Sequence, residues 1–247
     1  MNVKSTLLAV LLFTGASANA GFVSATWTDA ASPTQESFVT LYAIGASDGP
    51  QHFSPLLFPS VANQSAGGVS EPAQINATLT FRPDALGIDF TRLERRARDT
   101  STNGNGAFIF SVTETMNTLA SGSLSLLSPG VNSENGLRAR LYDYTTQEFL
   151  FQSSQYDYGH DKAYKLGGNV GSHGAAFSGN LENTLFAGHI YRFDYLLQSG
   201  NNGAGDFGSS AIGGFSLAPV ATVPEPATLA LMMAGFLGAF VSRRKSR

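Results

Sequence analysis

The chain has 247 residues, 43% of them apolar, with 27 glycines, no cysteine, and 15 Lys and Arg against 18 Asp and Glu for a net charge of -3. Without cysteine there is no disulfide framework and no thiolate to act as nucleophile or metal ligand. The acidic balance offers no basic surface to a phosphate backbone, so nucleic acid is excluded as an expected partner.

At the amino terminus Lys4 precedes an apolar stretch from Leu7 to Phe13, and Ala18-Asn19-Ala20 supplies small residues ahead of Gly21. That order predicts a secretory signal peptide over residues 1–20, with a signal helix in its apolar part. The body that follows, residues 21–218, keeps ten Lys and Arg against seventeen Asp and Glu. About 200 residues are enough for one domain with a buried core.

Phe22 to Trp27 alternates as a first strand, and Phe38 to Ile44 is a β-branched and aromatic run between Ser37 and Gly45. From Gly45 to Pro72 the prolines and glycines predict a long loop, with Phe53, Leu56, Leu57 and Phe58 folding back over the core as a lid. Ile75, Ala77, Leu79 and Phe81 alternate with Asn76, Thr78 and Thr80, the pattern of a half-buried antiparallel strand. Leu86, Phe90, Leu93 and Ala97 recur at helical spacing behind a Thr91-to-Glu94 capping box, so residues 86–97 are read as one short helix, or as a strand through Ile88 and Phe90.

Asn103-Gly104-Asn105-Gly106 predicts a tight turn before a strand bearing Phe108, Phe110 and Val112. Leu124 and Leu126 precede Ser128-Pro129-Gly130. Leu137 to Tyr144 and Glu148 to Gln152 form a hairpin about Thr145-Thr146-Gln147, with Tyr142, Tyr144, Phe149 and Phe151 on adjacent strands. Gly159 to Gly179 reads as an exposed loop. Tyr191, Phe193 and Tyr195 alternate with Arg192 and Asp194, Gly200 to Gly208 is a second glycine-rich loop, and Ala211 to Leu217 is a closing strand. Eight to ten short strands with at most one helix predict a mainly β fold, an antiparallel β-sandwich or jelly roll.

No arrangement in the body carries a recognisable chemistry. His52, His160, His173 and His189 are isolated from one another and lack the H-x-x-x-H spacing of a zinc helix. His160 and His173 share a glycine-rich loop with Asp157 and Asp161, a setting read as solvated, so no metal or cofactor is expected. No serine sits in G-x-S-x-G. Gly167 to Gly171 lacks the Lys-Ser/Thr ending of a phosphate loop. Asp143, Glu148 and Asp194 fall on strands, where carboxylates are most often surface charges; two of them placed across a cleft would make a secreted carbohydrate-active enzyme, the alternative reading of the chain. Catalytic residues are therefore not assigned. Tyrosines crowd the second half, and Tyr142, Tyr144, Tyr191 and Tyr195 are the candidates for sugar contact, because a ring face stacks on a pyranose while the hydroxyl bonds its edge.

At the carboxyl end Pro224-Glu225-Pro226 stands before the uncharged run Ala227 to Val241, followed by Ser242-Arg243-Arg244-Lys245-Ser246-Arg247. Fifteen residues at helical rise cover about 22 Å, whereas a permanent span uses about 20 residues. Residues 227–242 are thus expected to form a transmembrane helix of marginal length. Arg243, Arg244, Lys245 and Arg247 hold residues 243–247 on the cytoplasmic side and put the body across the membrane. Pro224 and Pro226 leave residues 219–226 as an extended linker.

This order at the very end of the chain resembles the PEP-CTERM sorting signal. The resemblance covers about a tenth of the chain and implies an exosortase, an integral-membrane cysteine peptidase, as the partner that processes the chain near Pro224, Glu225 and Pro226. It implies transient anchoring of the precursor in the inner membrane of a Gram-negative, exopolysaccharide-making bacterium, then delivery of the body to the cell surface or extracellular matrix. The expected function is a non-catalytic exported protein associated with exopolysaccharide or biofilm matrix.

Overall fold

The computed structural model describes residues 20–29, 32–44, 49–54, 60–68, 72–95, 100–128, 133–158, 164–165, 176–201 and 209–220. The expected signal and transmembrane helices lie outside them. Every regular element among these residues is a strand. In chain order they are β1 (Phe22–Ser24), β2 (Trp27–Asp29), β3 (Ser32–Gln35), β4 (Phe38–Ile44), β5 (Gln51–Phe53), β6 (Ser60–Ala66), β7 (Ala73–Arg82), β8 (Ala85–Arg95) and β9 (Ser101–Val112). There follow β10 (Met116–Ser128), β11 (Ser133–Asp143), β12 (Glu148–Tyr158), β13 (Tyr164–Lys165), β14 (Ala176–Gly179), β15 (Glu182–Leu185), β16 (Tyr191–Asn201) and β17 (Ser209–Pro219).

Two antiparallel sheets carry the fold. The first runs β14-β12-β11-β16-β9-β4-β5, with β1 also on β9; the second runs β13-β10-β17-β8-β7-β6, with β15 on β10; β2 and β3 pair as a separate hairpin. The sheets close on one apolar core to which both contribute. Phe81 of the second sheet meets Phe108 of the first at 6.2 Å between centroids, Phe90 meets Tyr195 at 6.5 Å, and Phe215 meets Phe193 at 6.3 Å and Tyr195 at 6.1 Å. Burying each such ring contributes about 1.5–3 kcal/mol relative to leaving it in water. The result is a β-sandwich, as the alternation of β7 and β16 dictates: Ile75, Ala77, Leu79 and Phe81 face inward from one sheet, and Tyr191, Phe193, Tyr195 and Leu197 from the other.

Two expectations give way to packing. Of the two readings of residues 86–97, the strand holds from Leu86 to Arg95 and the helix does not; Ala97 lies outside the described residues. Leu86, Ile88 and Phe90 alternate inward, a bulge shifts the register opposite Asn76 and Ala77, and Leu93 returns to the core three residues on from Phe90. One extra residue in an alternating strand imitates a helical period. Asn103 to Gly106 is likewise no turn but the middle of β9. Its glycines are there for room: a Cβ on Gly104 would lie 2.0 Å from Cε1 of Phe90, and one on Gly106 would lie 2.3 Å from the Tyr195 hydroxyl.

The stretch from Gly45 to Pro72 also carries structure not expected of a loop, since β5 and β6 lie within it. Phe53 does pack against the core; Leu56, Leu57 and Phe58 lie outside the described residues. The loop expected at residues 159–179 includes β13 and β14, and the one at 200–208 begins within β16.

Candidate functional site

The β11–β12 hairpin builds the site. Its turn, Tyr144 to Gln147, closes because the Asp143 carboxylate accepts hydrogen bonds from the backbone N–H of Thr145 (2.8 Å) and Thr146 (3.3 Å). Gln147 takes a left-handed conformation, φ 61°, at the end of the turn. Pairing then runs Asp143 with Glu148 and Tyr142 with Phe149, but Leu141 pairs with Phe151, so Leu150 is one residue too many. In a regular strand Phe149 and Phe151 would share a face. The bulge separates them: Phe151 is buried and Phe149 is 48% exposed.

Phe149 therefore joins the outward side chains of β11. Its ring lies 4.8 Å from that of Tyr142, and Tyr142 meets the edge of Tyr144 at 5.3 Å. Trp27 of β2 stacks on Tyr144 at 4.9 Å with the planes 6° apart. Four rings thus form a continuous arc on the outer face of the first sheet. The Arg140 guanidinium sits 5.9 Å from the Phe149 ring centroid, in cation–π range.

Arg192, the partner of Tyr142 on β16, anchors the arc. Its Nη1 donates to the Tyr144 hydroxyl and to Gln35 Oε1, each at 3.2 Å, and its Nε donates to Asp194 Oδ1 at 2.6 Å. Arg140 Nη2 donates to Asp194 Oδ2 at 3.2 Å. Burial alone would lower the pKa of the Arg192 guanidinium, but the Asp194 carboxylate and the Tyr144 hydroxyl outweigh it and the net direction is upward. The Nε atoms of Arg138 and Arg140 are buried without a partner.

Of the four tyrosines expected at a sugar-contact face, the fold brings together two. Tyr142 and Tyr144 are half-buried neighbours in the arc. Tyr191 and Tyr195 are corrected: they are 0% and 1% exposed, pointing from the opposite face of β16 into the core, because residues of odd number on that strand face inward. Neither ring face is open to a ligand. Burial pushes the Tyr191 hydroxyl up to about 12, against a hydrogen bond with the Phe186 backbone that lowers it, with Asp143 adding to the rise. Burial, then Asp194, holds Tyr195 well above its usual range.

The carboxylates singled out in the sequence are engaged in structure. Asp143 bonds its turn through one oxygen and His189 Nδ1 through the other at 2.7 Å, and Asp194 is held between two guanidiniums. Glu148 is exposed beside the turn. His52 bonds Thr40 at 2.8 Å. Among the described residues no group of three or more His, Asp or Glu is arranged around a metal position; His160, His173 and Asp161 lie outside them. The outer face of the second sheet holds a shallow trough of about 860 Å³, lined by Ser121, Ser123, Ser125, Ser216, Asp89 and Ile212 among others.

Trp27, Gln35 and the two arginines complete the arc without having been expected there, and Phe149, expected on the strand beside Tyr142, was not among the candidates for sugar contact. The alternation of β16 could have placed Arg192 beside Tyr142, but nothing local announces that Trp27, more than 100 residues away, will close over Tyr144.

The described residues thus define an antiparallel β-sandwich with an aromatic outer face. Residues 222–245, directly after its last strand, match the PEP-CTERM protein-sorting motif. The chain carries that motif, which implies export, transient membrane anchoring and processing by exosortase. Comparison with curated proteins finds no match to the chain.

Proposed function

We propose that the body is a non-catalytic component of the cell surface or extracellular matrix that contacts exopolysaccharide through Trp27, Tyr144, Tyr142 and Phe149. The observation that carries this reading is the unbroken ring arc, with Phe149 48% exposed at its end. Aromatic faces stack on the apolar face of a pyranose, and the guanidiniums beside them donate to hydroxyl or carboxylate oxygens. The commitment of Asp143 and Asp194 to structural partners supports a binding role over a hydrolytic one, since a catalytic pair needs a carboxyl group free to exchange a proton with substrate.

The test is retention of the protein on the polysaccharide of its own host. Wild type is retained and releases no reducing ends; Phe149→Ala and Tyr142→Ala lose retention together. Retention unchanged in both variants overturns the assignment of the arc, and release of sugar overturns the non-catalytic role.

A further inference from the structure

Both described ends of the chain leave the sandwich at one pole, clipped to one connection. Gly21 donates its N–H to Thr113 Oγ1 at 2.9 Å and accepts from the Thr113 N–H at 2.9 Å, and Phe22 N–H donates to Pro83 O at 2.9 Å. Val220 N–H donates to Asn117 O at 2.8 Å. Thr113 lies in the short link from β9 to β10 and Asn117 is the second residue of β10, so four residues, at most about 14 Å of chain, separate the two attachment points. β7, β9, β11, β15 and β17 finish at this pole, and β1, β8, β10, β12 and β16 begin there.

Only six residues, 221–226, lie between Val220 and the apolar run that starts at Ala227. Fully extended they reach about 20 Å. β10 alone, with 13 residues, is about 43 Å long at strand rise. A body of that length on so short a tether cannot turn its far end to the bilayer. Residues 14–19, between the apolar stretch ending at Phe13 and Ala20, are also six in number, so the expected signal peptide would hold the same pole at the same height.

The composition of the pole fits a lipid interface held by a tether. Phe186, Val220, Leu119, Val23 and Phe149, five of the six exposed large apolar side chains among the described residues, lie at or beside it. Glu114, Glu182 and Asp84 are exposed there too, the last paired with Arg82 at 3.3 Å. Apolar side chains tolerate the headgroup boundary, while the carboxylates keep attraction to anionic lipid from holding the body once the tether is cut.

We propose that this pole, centred on residues 113–117, is the surface that faces the membrane in the unprocessed chain, resting against the lipid headgroups with the sandwich standing away from the bilayer. The orientation depends on the tail and the fold and not on the sugar reading. Because the chain has no cysteine, single labels are clean. The full chain, tail intact, is inserted into phosphatidylcholine vesicles whose outer leaflet carries a headgroup-linked energy acceptor, with a donor at Glu114→Cys or at Gly68→Cys near the far end of β6. Asp84→Cys and Pro50→Cys repeat the comparison on other loops. Transfer several-fold stronger from residues 114 and 84 than from 68 and 50 is expected, with the difference shrinking when a flexible insert doubles the tether. Equal transfer from both ends, or stronger transfer from residue 68, overturns the proposal.

Discussion

The inner and outer faces of the first sheet are made from the same strands and nearly the same residue types, yet they have opposite roles. On the inner face Phe108, Phe110, Phe151, Phe193, Tyr191 and Tyr195 are closed against the second sheet. On the outer face Tyr142, Tyr144 and Phe149 pack edge and face against one another and against Trp27 of the β2–β3 hairpin. The inner rings are immobilised by a facing layer and stabilise the fold. The outer rings are ordered by their own contacts and by Arg192, and keep surface to offer. Parity along a strand, with one bulge at Leu150, decides which role a ring takes.

Substitutions that remove one ring from each face separate these roles most sharply. Phe193→Ala, which empties the centre of the core, is expected to destabilise by about 3–5 kcal/mol in urea unfolding. Phe149→Ala, half exposed, is expected to change stability by less than about 1 kcal/mol. Similar losses in the two variants would erase the distinction between the faces.

Alkaline pH probes the inner tyrosines next. In the unfolded chain Tyr191 ionises near 10, and in the folded protein near 12. The folded state therefore keeps its proton where the unfolded state has lost it. Stability is fully present below pH 10 and falls between pH 10 and 12, by roughly 2–3 kcal/mol for a two-unit shift. Tyr195, raised in the same direction, adds to the fall. Unfolding midpoints measured across this window should decline in wild type and decline less in Tyr195→Phe. A flat profile would mean that the inner hydroxyls are not desolvated.

A smaller effect belongs to the glycines that let the faces differ. Gly104→Ala drives a methyl group into Phe90 and should destabilise by about 1–3 kcal/mol, as overpacking does. In a Phe90→Leu background the added loss should shrink, since the clash is with that ring. An undiminished loss would place the cause in the backbone.

Much of this architecture was legible in residue alternation. Phe38 to Ile44 and the inward set of β7 follow from period two alone, and Thr145-Thr146-Gln147 read correctly as a hairpin connection, to which the structure adds Tyr144. What the sequence concealed arises from contacts between distant segments. Gly104 and Gly106 have the composition of a turn, but their purpose is to admit Phe90 and Tyr195 from other strands. The bulge in β8 gave a strand a helical spacing, and the bulge in β12 split two phenylalanines that composition would keep together. Tyr142 and the pair Tyr191 and Tyr195 were correctly placed on strands, while Tyr144 falls in the turn, and the division of the four into two inside and two outside depended on the parity of β16 relative to β11. The sorting tail was readable because its three parts are contiguous.

Trp27 gives the most direct test, because it is the only tryptophan of the chain and lies within the arc, stacked on Tyr144. Titration of the folded protein with fragments of the host polysaccharide, followed by Trp27 emission, should give a saturable change that Phe149→Ala weakens and Tyr142→Ala abolishes. Emission that stays constant while the fragments bind would put the ligand elsewhere, and emission that stays constant without binding would contradict the sugar-contact role.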